Sequence, residues 1–322
     1  MFLLEPLRVI LALAESLVMF FVVLFGGGAF TMPGDYLREL NRMGVYENRA
    51  QESLPQGIVY DIVLEHFSQA RADGRAPKCL VVGYDGARAD ALANMEEGKS
   101  GLLALKAGGG GIYNAYAGGN FPRWQATSTG PGWTTVLTGR WAKERGGTGH
   151  GVDDNGVVKP EDSPKLLFTE LLERKLVKKT AFVVAKDEHF SREDAAYIND
   201  VAYCKANKLK AAWIKTDGDA ETVKQTKKEI LAGTDMVMGI LKSCDSTGHN
   251  FNFGNHCPEY VQAFRESDQG ALELINAVKS RPTYAKEDWL IIIVSDHGGF
   301  ATGHGPQFSV AQQVFIAMNK PL

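Results

Sequence analysis

The chain has 322 residues, of which 44% are hydrophobic, and its formal net charge at pH 7 is −3. This length accommodates one large or two small domains, and the near-neutral charge leaves no basic stripe of the kind that binds nucleic acid. The four cysteines form no CxxC pair, and their number does not settle the redox compartment. Composition therefore argues against a nucleic-acid-binding protein and against a small disulfide scaffold.

An apolar run at residues 9–30 is about as long as the ~20 residues that cross a bilayer core. Glu15 interrupts it, at a cost of about 2.5–3.5 kcal/mol on insertion scales if it lies near the centre of a spanning helix. We interpret the run as a retained membrane anchor; a cleaved signal peptide and a helix buried against the protein are the alternatives. We expect the main domain outside the cytoplasm, but Arg38, Arg42 and Arg49 favour the opposite orientation, which therefore stays open.

The sequence predicts three parts: an apolar helix at 1–33, a helical lead-in and linker at 34–77, and a large domain at 78–322. The lead-in is polar and mixed in composition. Its one helical pattern begins at Ile58 and ends before the turn-forming residues that precede Pro77.

Beyond the linker, short apolar runs alternate with longer amphipathic ones, which predict strands and helices respectively. Nearly continuous apolar strands that alternate with helices are typical of parallel sheets. We therefore predict an α/β domain whose mainly parallel central sheet carries helices on both faces. The glycines at 108–111 predict a loop. The predicted strands are Cys79–Tyr84, Ala181–Ala185, Met236–Leu241, Leu290–Ser295 and Val314–Met318, and the clearest helices are Lys165–Lys175 and Glu259–Lys279.

Three acidic residues stand at the ends of these predicted strands. Asp85 directly follows the first strand, Asp245 closely follows the third, and Asp296 ends the fourth. Alone, an acid at such a place is more often a turn former or a helix cap. Because the carboxyl ends of parallel strands meet at one edge of a sheet, where ligands gather, we expect the three carboxylates to lie together.

Three histidines accompany these acids. His249 lies four residues after Asp245, close enough for both to hold one ion whether the turn is helical or looped. His297 directly follows the acid at the end of the fourth strand, and His304 stands between two glycines. Mixed Asp and His ligation suits Zn²⁺, so the pattern predicts a metal site. We leave Cys244 out of it, because an extended segment would point its side chain away from that of its acidic neighbour.

Thr129 is followed by a glycine, Pro131 and an apolar pattern, which predicts a loop that enters a helix. A hydroxyl at this place lies beside free backbone N–H groups, including that of Gly130, at the positive end of the helix, where a phosphate oxygen is favoured. A threonine at a helix entrance is more often an N-cap. In the company of the acids and histidines we interpret Thr129 as a nucleophile.

Taken together, these residues resemble the nucleotide pyrophosphatase/phosphodiesterase branch of the alkaline phosphatase superfamily. The resemblance covers residues 78–305 and implies two divalent metal ions, which in the family are usually zinc. It implies that Asp245, His249 and His304 hold one ion, and that Asp85, Thr129, Asp296 and His297 hold the other.

The resemblance implies a phosphodiesterase or nucleotide pyrophosphatase that acts on a small-molecule phosphate ester. Two ions ~3.5–4 Å apart can clamp the attacking and leaving oxygens of an in-line displacement, and Thr129 would form a covalent phospho-enzyme. We add the backbone of Gly130 as a substrate contact. A phosphomonoesterase or phosphonate hydrolase is the alternative, and a monoesterase needs a further cation. The candidates for this cation are Arg123, Arg140, Lys143 and Lys186.

Two residues depart from the pattern of this branch. Gly132 and Trp133 stand near the place where the branch commonly has an asparagine that holds a phosphate oxygen. A sulfatase would need Cys or Ser at position 129 and Arg at position 133, so the sequence argues against that class. From a different class, a catalytically silent, metal-bound membrane module is the remaining alternative. The complete set of proposed ligands argues against it, because a protein without catalytic activity has no physical need to keep them all.

Overall fold

An eight-stranded sheet organises the computed structural model, which describes residues 53–69, 71, 73–119, 125–141, 165–186, 189 and 195–322. In chain order the strands are β1 (Leu54–Pro55), β2 (Ala76–Tyr84), β3 (Gly111–Tyr116), β4 (Thr180–Val184), β5 (Ala211–Lys215), β6 (Met236–Leu241), β7 (Glu287–Ser295) and β8 (Gln313–Met318). In spatial order they are β1-β3-β8-β7-β2-β6-β4-β5. Strand β8 runs antiparallel to both of its neighbours, and the other pairings are parallel.

Helices cover both faces of this sheet. Side chains of β2 alternate between two buried clusters, because successive residues of a strand point to opposite faces. The helices are α1 (Ile58–Ser68), α2 (Gly101–Ala107), α3 (Thr129–Thr138), α4 (Leu167–Glu173), α5 (Ala195–Ala206), α6 (Asp219–Leu231), α7 (Ser243–Asn250), α8 (Pro258–Lys279) and α9 (Ser309–Gln312), with 3₁₀ turns at Ala89–Asn94 and Tyr284–Lys286. Cys79 and Val81 pack with helices α1, α3 and α4, whereas Leu80 and Val82 pack with α2, α6 and α8.

The predicted α/β class with a mainly parallel sheet is confirmed, and all five predicted strands are present. The glycine run at 108–111 was interpreted as a loop, but Gly111 begins β3. Part of the predicted linker belongs to the folded core, since β1 pairs with β3 and α1 buries Val59, Val63 and Phe67.

The apolar run at 9–30 lies outside the described residues. In the part of the chain that the structure describes, no helix combines the length and the apolarity needed to cross a membrane. The membrane anchor and the limits of the three predicted parts stay predictions.

A buried carboxylate ties α5 to the start of α4. Asp200 is 5% exposed, and its Oδ2 accepts hydrogen bonds from the backbone N–H of Leu166 at 3.0 Å and from the hydroxyl of Thr169 at 2.6 Å. Burial raises the pKa of Asp200 to about 7, although both hydrogen bonds act in the opposite direction. The folded protein therefore binds a proton here more tightly than the unfolded chain does.

We expect the stability of the Asp200→Asn variant relative to wild type to increase as pH rises from 4 to 8. A raised pKa in the folded state stabilises the fold fully below the unfolded value near 3.8, and this stabilisation is lost as pH rises through about 7. The amide oxygen can accept both hydrogen bonds without a charge. Between pH 4 and pH 8 the free energy of unfolding of the variant should rise by about 2–4 kcal/mol relative to that of wild type.

Urea denaturation at several pH values, with a chelator present, measures this shift. Asp61→Asn is the control, because Asp61 is exposed on α1. A difference between Asp200→Asn and wild type that does not change with pH would contradict the expected titration.

Candidate active site

Four neighbouring parallel strands, β7, β2, β6 and β4, deliver charged residues to one edge of the sheet. The strand ends are aligned, since Tyr84 of β2 pairs with Leu241 of β6 and with Ser295 of β7. The segments that leave these strands therefore start side by side. They carry Asp296 after β7, Asp85 after β2, Asp245 in helix α7 after β6, and Lys186 after β4.

Hydrogen bonds from backbone N–H groups hold three of these segments together. The N–H of Asp245 donates to the carbonyl of Asp85 at 3.0 Å, and the N–H of Gly86 donates to Oδ1 of Asp296 at 3.1 Å. Gly86 has a φ of +73°, and a Cβ there would lie 2.7 Å from Cα of Asp245. A larger residue at position 86 would push Asp245 away, so glycine is what permits the three carboxylates to converge.

Thr129 is the first residue of α3, and its hydroxyl points into the same cluster. Its Oγ1 donates to Oδ1 of Asp85 at 3.2 Å and lies 3.4 Å from Nε2 of His297. Gly130 is the second residue of the helix, in the turn whose backbone N–H groups have no partner within the helix. Just before the helix, the N–H of Thr127 donates to the carbonyl of Gly305 at 3.0 Å. This pairing brings the helix entrance next to the segment that contains His304.

Asp85, Asp296 and His297 form a first group of fully buried side chains whose ligand atoms all lie within 4.8 Å of one another. Nε2 of His297 is 3.4 Å from Oδ2 of Asp296 and 3.7 Å from Oδ1 of Asp85. Burial, and then repulsion from Asp85, raises the pKa of Asp296 well above its usual value. Burial, and then the proximity of His304, lowers the pKa of His297 to about 3. The imidazole of His297 is therefore neutral at physiological pH, as a metal ligand must be.

Asp245, His249 and His304 form a second group. Oδ1 of Asp245 is 3.4 Å from Nε2 of His249 and 3.3 Å from Nε2 of His304, and the two ring nitrogens are 2.9 Å apart. Burial alone would raise the pKa of Asp245, but the close approach of His304 and the positive charge of Lys186 outweigh it and lower the pKa. Nε2 of His297 lies 3.9 Å from Oδ1 of Asp245, so this histidine is within reach of both groups.

Hydrogen bonds to backbone carbonyls orient two of the imidazoles. Nδ1 of His249 lies 2.9 Å from the carbonyl of Thr302, and Nδ1 of His297 lies 2.8 Å from that of Gly298. Because a carbonyl oxygen can only accept, each Nδ1 carries the hydrogen and each Nε2 presents its lone pair to the carboxylates. This is the tautomer that a metal ligand requires.

The residues fit divalent metal ions by two tests. Three buried polar atoms at the site have no hydrogen-bond partner among the described residues: Oδ1 of Asp245, Oδ2 of Asp296 and Nδ1 of His304. Ligands bound 2.0–2.2 Å from a tetrahedral ion lie about 3.3–3.6 Å apart, and both carboxylate oxygens have an imidazole nitrogen at 3.3–3.4 Å. Carboxylates and imidazoles together are a ligand set that suits zinc.

Lys186 completes the charge balance of the site. Its buried ammonium group donates to Oδ1 of Asp85 at 2.7 Å, to Oδ2 of Asp245 at 2.6 Å and to Oγ1 of Thr129 at 2.8 Å. Burial alone would lower the pKa of Lys186, but the two carboxylates outweigh it and raise the pKa, so the group stays charged.

The sequence marked Lys186 only as one of four possible cations. Arg140 is exposed beyond the end of α3 opposite Thr129, and Arg123 and Lys143 lie outside the described residues. Its position in the sequence could have distinguished Lys186 from the other three candidates, because Lys186 closely follows a predicted strand, as the three acids do.

Cys244 was left out of the site for a reason that proved wrong. The segment is not extended but helical, as α7 begins at Ser243. The thiol is fully buried in the core, with its sulfur 3.9 Å from Oγ of Ser267. Helical geometry, rather than strand alternation, separates it from Asp245.

A mainly parallel sheet with carboxylates, imidazoles and a hydroxyl at its carboxyl edge defines an alkaline phosphatase-like α/β protein. The chain belongs to the type I phosphodiesterase/nucleotide pyrophosphatase family, whose sequence model matches residues 79–306, more than half of the chain. This membership indicates a phosphoryl-transfer hydrolase of the alkaline phosphatase superfamily. A comparison with curated protein sequences finds no match.

Solved structures with a similar fold belong to the same superfamily. An alkaline phosphatase from the Antarctic bacterium TAB5 is 13% identical, with a TM-score of 0.48, and the match covers 75% of this chain and 90% of that protein. The murine ectonucleotide pyrophosphatase/phosphodiesterase 5 is 15% identical, with a TM-score of 0.46, over 69% of this chain and 57% of that protein. A superfamily protein from Vibrio parahaemolyticus is 10% identical, with a TM-score of 0.49, over 81% of this chain and 68% of that protein.

Proposed function

We propose that the protein hydrolyses small-molecule phosphodiesters or pyrophosphates, with Thr129 as the nucleophile and two divalent ions, zinc, as cofactors. One observation carries this proposal. The hydroxyl of Thr129 stands at a helix N-terminus within 3.4 Å of both a carboxylate and an imidazole. A threonine that served only as a helix cap would have no need of three carboxylates and three histidines around it.

In the proposed arrangement each group of ligands holds one ion. Asp85, Thr129, Asp296 and His297 would hold one, and Asp245, His249 and His304 the other. When bound, the ions supply positive charge for the attacking and leaving oxygens of an in-line displacement.

In the first chemical step Oγ1 of Thr129 loses its proton to water and bonds to phosphorus, while the bond from phosphorus to the leaving oxygen breaks. The leaving oxygen takes the bonding electron pair and then a proton from water. Lys186, which donates to Oγ1 of Thr129 at 2.8 Å, would stabilise the negative charge on this oxygen as it attacks. Water then attacks phosphorus and breaks the Oγ1–phosphorus bond, and a proton released by this water passes to Oγ1, which restores the hydroxyl group.

The entrance of α3 would bind the transferred group. The backbone N–H groups of the first turn, including that of Gly130, are unpaired within the helix and lie at its positive end. Phosphate oxygens are favoured at such a place. We therefore retain Gly130 as a proposed substrate contact through its backbone.

Lys186 favours phosphomonoester hydrolysis as a second candidate function. A phosphomonoester carries one more negative charge than a diester, and a fixed ammonium beside the nucleophile offsets that charge. However, Asp85 and Asp245 already neutralise part of the positive charge of Lys186, so less of it remains for a phosphomonoester. The diesterase therefore stays the leading candidate.

Turnover of two chromogenic esters tests the proposal. We expect bis-p-nitrophenyl phosphate to be hydrolysed faster than p-nitrophenyl phosphate, and both activities to disappear after chelation and return with zinc. Faster hydrolysis of the monoester would favour the second candidate. No turnover of either ester with zinc, manganese or magnesium would contradict both and support a catalytically silent, metal-bound module.

A further inference from the structure

Trp133 makes a contact at the site that neither the proposed metal ligands nor the proposed nucleophile requires. It lies in α3, four residues after Thr129, and is fully buried. Its indole Nε1–H donates to Oδ2 of Asp85 at 2.9 Å. The tryptophan therefore reaches the carboxylate from within the protein core, behind the cluster.

This hydrogen bond assigns different environments to the two oxygens of Asp85. Oδ2 accepts from the indole, whereas Oδ1 accepts from Thr129 at 3.2 Å and from Lys186 at 2.7 Å. Oδ1 is also the oxygen that lies 3.7 Å from Nε2 of His297. If the plane of the carboxylate turned about the Cβ–Cγ bond, the indole hydrogen bond would be lost. The indole therefore fixes the plane in which one oxygen of Asp85 faces the cluster.

The ring itself has little freedom to move. A Cβ at Gly83 of β2 would lie 2.4 Å from Cη2 of Trp133, which means that the indole occupies the space that a side chain of the strand would otherwise fill. Gly83 is two residues before Asp85, in the strand that Asp85 directly follows. The strand that leads to the carboxylate thus also packs against the ring that orients it.

We propose that Trp133 is a positioning residue for the metal site, which sets the orientation of Asp85 and thereby the affinity for one of the two ions. This inference rests on the proposed function, because it takes Asp85 as a metal ligand. Groups that hydrogen-bond to a metal ligand typically contribute about 10- to 100-fold to metal affinity or activity. A tryptophan that only filled the core would affect stability and leave metal affinity unchanged.

The variant Trp133→Phe removes the donor and keeps an aromatic ring in the core. The matched control is Trp289→Phe, since Trp289 is also buried and its Nε1–H donates to Oε2 of Glu287 at 2.8 Å. Trp289 lies near the start of β7, at the opposite end of the strand from Asp296. Each substitution thus deletes one buried indole-to-carboxylate hydrogen bond, at the site in one case and far from it in the other.

Zinc affinity is measured by competition with a chromophoric chelator, and the fold of each metal-free variant by its urea unfolding transition. We expect Trp133→Phe to weaken one of two zinc equivalents by about tenfold or more, and Trp289→Phe to leave both within about twofold of wild type. Both variants should lose similar stability in the chelated state.

Equal zinc affinities of Trp133→Phe and wild type would overturn the inference while leaving the proposed function intact. Equal losses of zinc affinity in the two variants would also overturn it, because a general loss of stability would then explain both. A wild-type protein that binds no zinc, manganese or magnesium would overturn the proposed function itself, and this inference with it.

Discussion

Thr129→Ala should lower the rate of phosphate ester hydrolysis by about a thousandfold or more, because it removes the oxygen that attacks phosphorus. Zinc content should stay close to that of wild type, since six carboxylate and imidazole ligands remain. Thr129→Ser should retain part of the activity, because the hydroxyl survives with more rotational freedom. Steady-state hydrolysis of bis-p-nitrophenyl phosphate and metal analysis of the same samples measure both quantities.

A second buried threonine of α3 provides the control for this substitution. Thr138 is the last residue of the helix, and its hydroxyl donates to the carbonyl of Thr134 at 2.6 Å. Thr138→Ala removes the same group from the same helix at the end away from the site, so its activity should remain near that of wild type. If Thr129→Ala kept the wild-type rate, direct attack by water without a covalent intermediate would be the better mechanism.

Much of this site could be predicted from the sequence because its acids follow apolar strands. Asp85 and Asp296 come immediately after β2 and β7, whose runs of Val, Ile and Leu are typical of strands buried on both faces. Once a parallel sheet was inferred, its geometry required these carboxylates to share one edge. The spacing of Asp245 and His249 was a further signal, because residues four apart in a helix lie on the same face and their side chains can meet.

The parts that sequence reasoning missed have weak local signals. Strand β5 has only a short apolar run, from Ala211 to Ile214, because it lies at the edge of the sheet and its residues are half-buried or exposed. Strand β3 was not predicted, because it begins within a glycine run that is typical of a loop. Strand order is likewise set by contacts between distant segments, which no spacing within the sequence records.

The contacts of Lys186 and Trp133 are non-local in the same way. Lys186 and Asp85 are 101 residues apart in the chain, and Trp133 and Asp85 are 48 apart. A lysine after a strand is usually a solvent-exposed residue, and a tryptophan in a helix usually fills the core. Only the packed structure shows that both side chains touch the same carboxylate.

Lys186→Met should destabilise the metal-free protein strongly. The substitution keeps the length of an unbranched side chain but removes the ammonium that lies between Asp85 and Asp245. Both carboxylates are buried, so each would lose a charged partner without gaining water. Removing one partner of a buried ion pair typically costs about 3–5 kcal/mol, and we expect a loss of this order in the free energy of unfolding with a chelator present.

The same substitution should cost much less when zinc is present, because the proposed ions supply positive charge to the same carboxylates. Urea denaturation with and without zinc measures the two losses. Lys227→Met is the control, since Lys227 forms an exposed ion pair with Glu273, and such pairs contribute about 0–1 kcal/mol. A loss for Lys186→Met that is equally large with and without zinc would show that the ions do not neutralise these carboxylates. That result would contradict the assignment of Asp85 and Asp245 as metal ligands, whereas a loss confined to the chelated protein would support it.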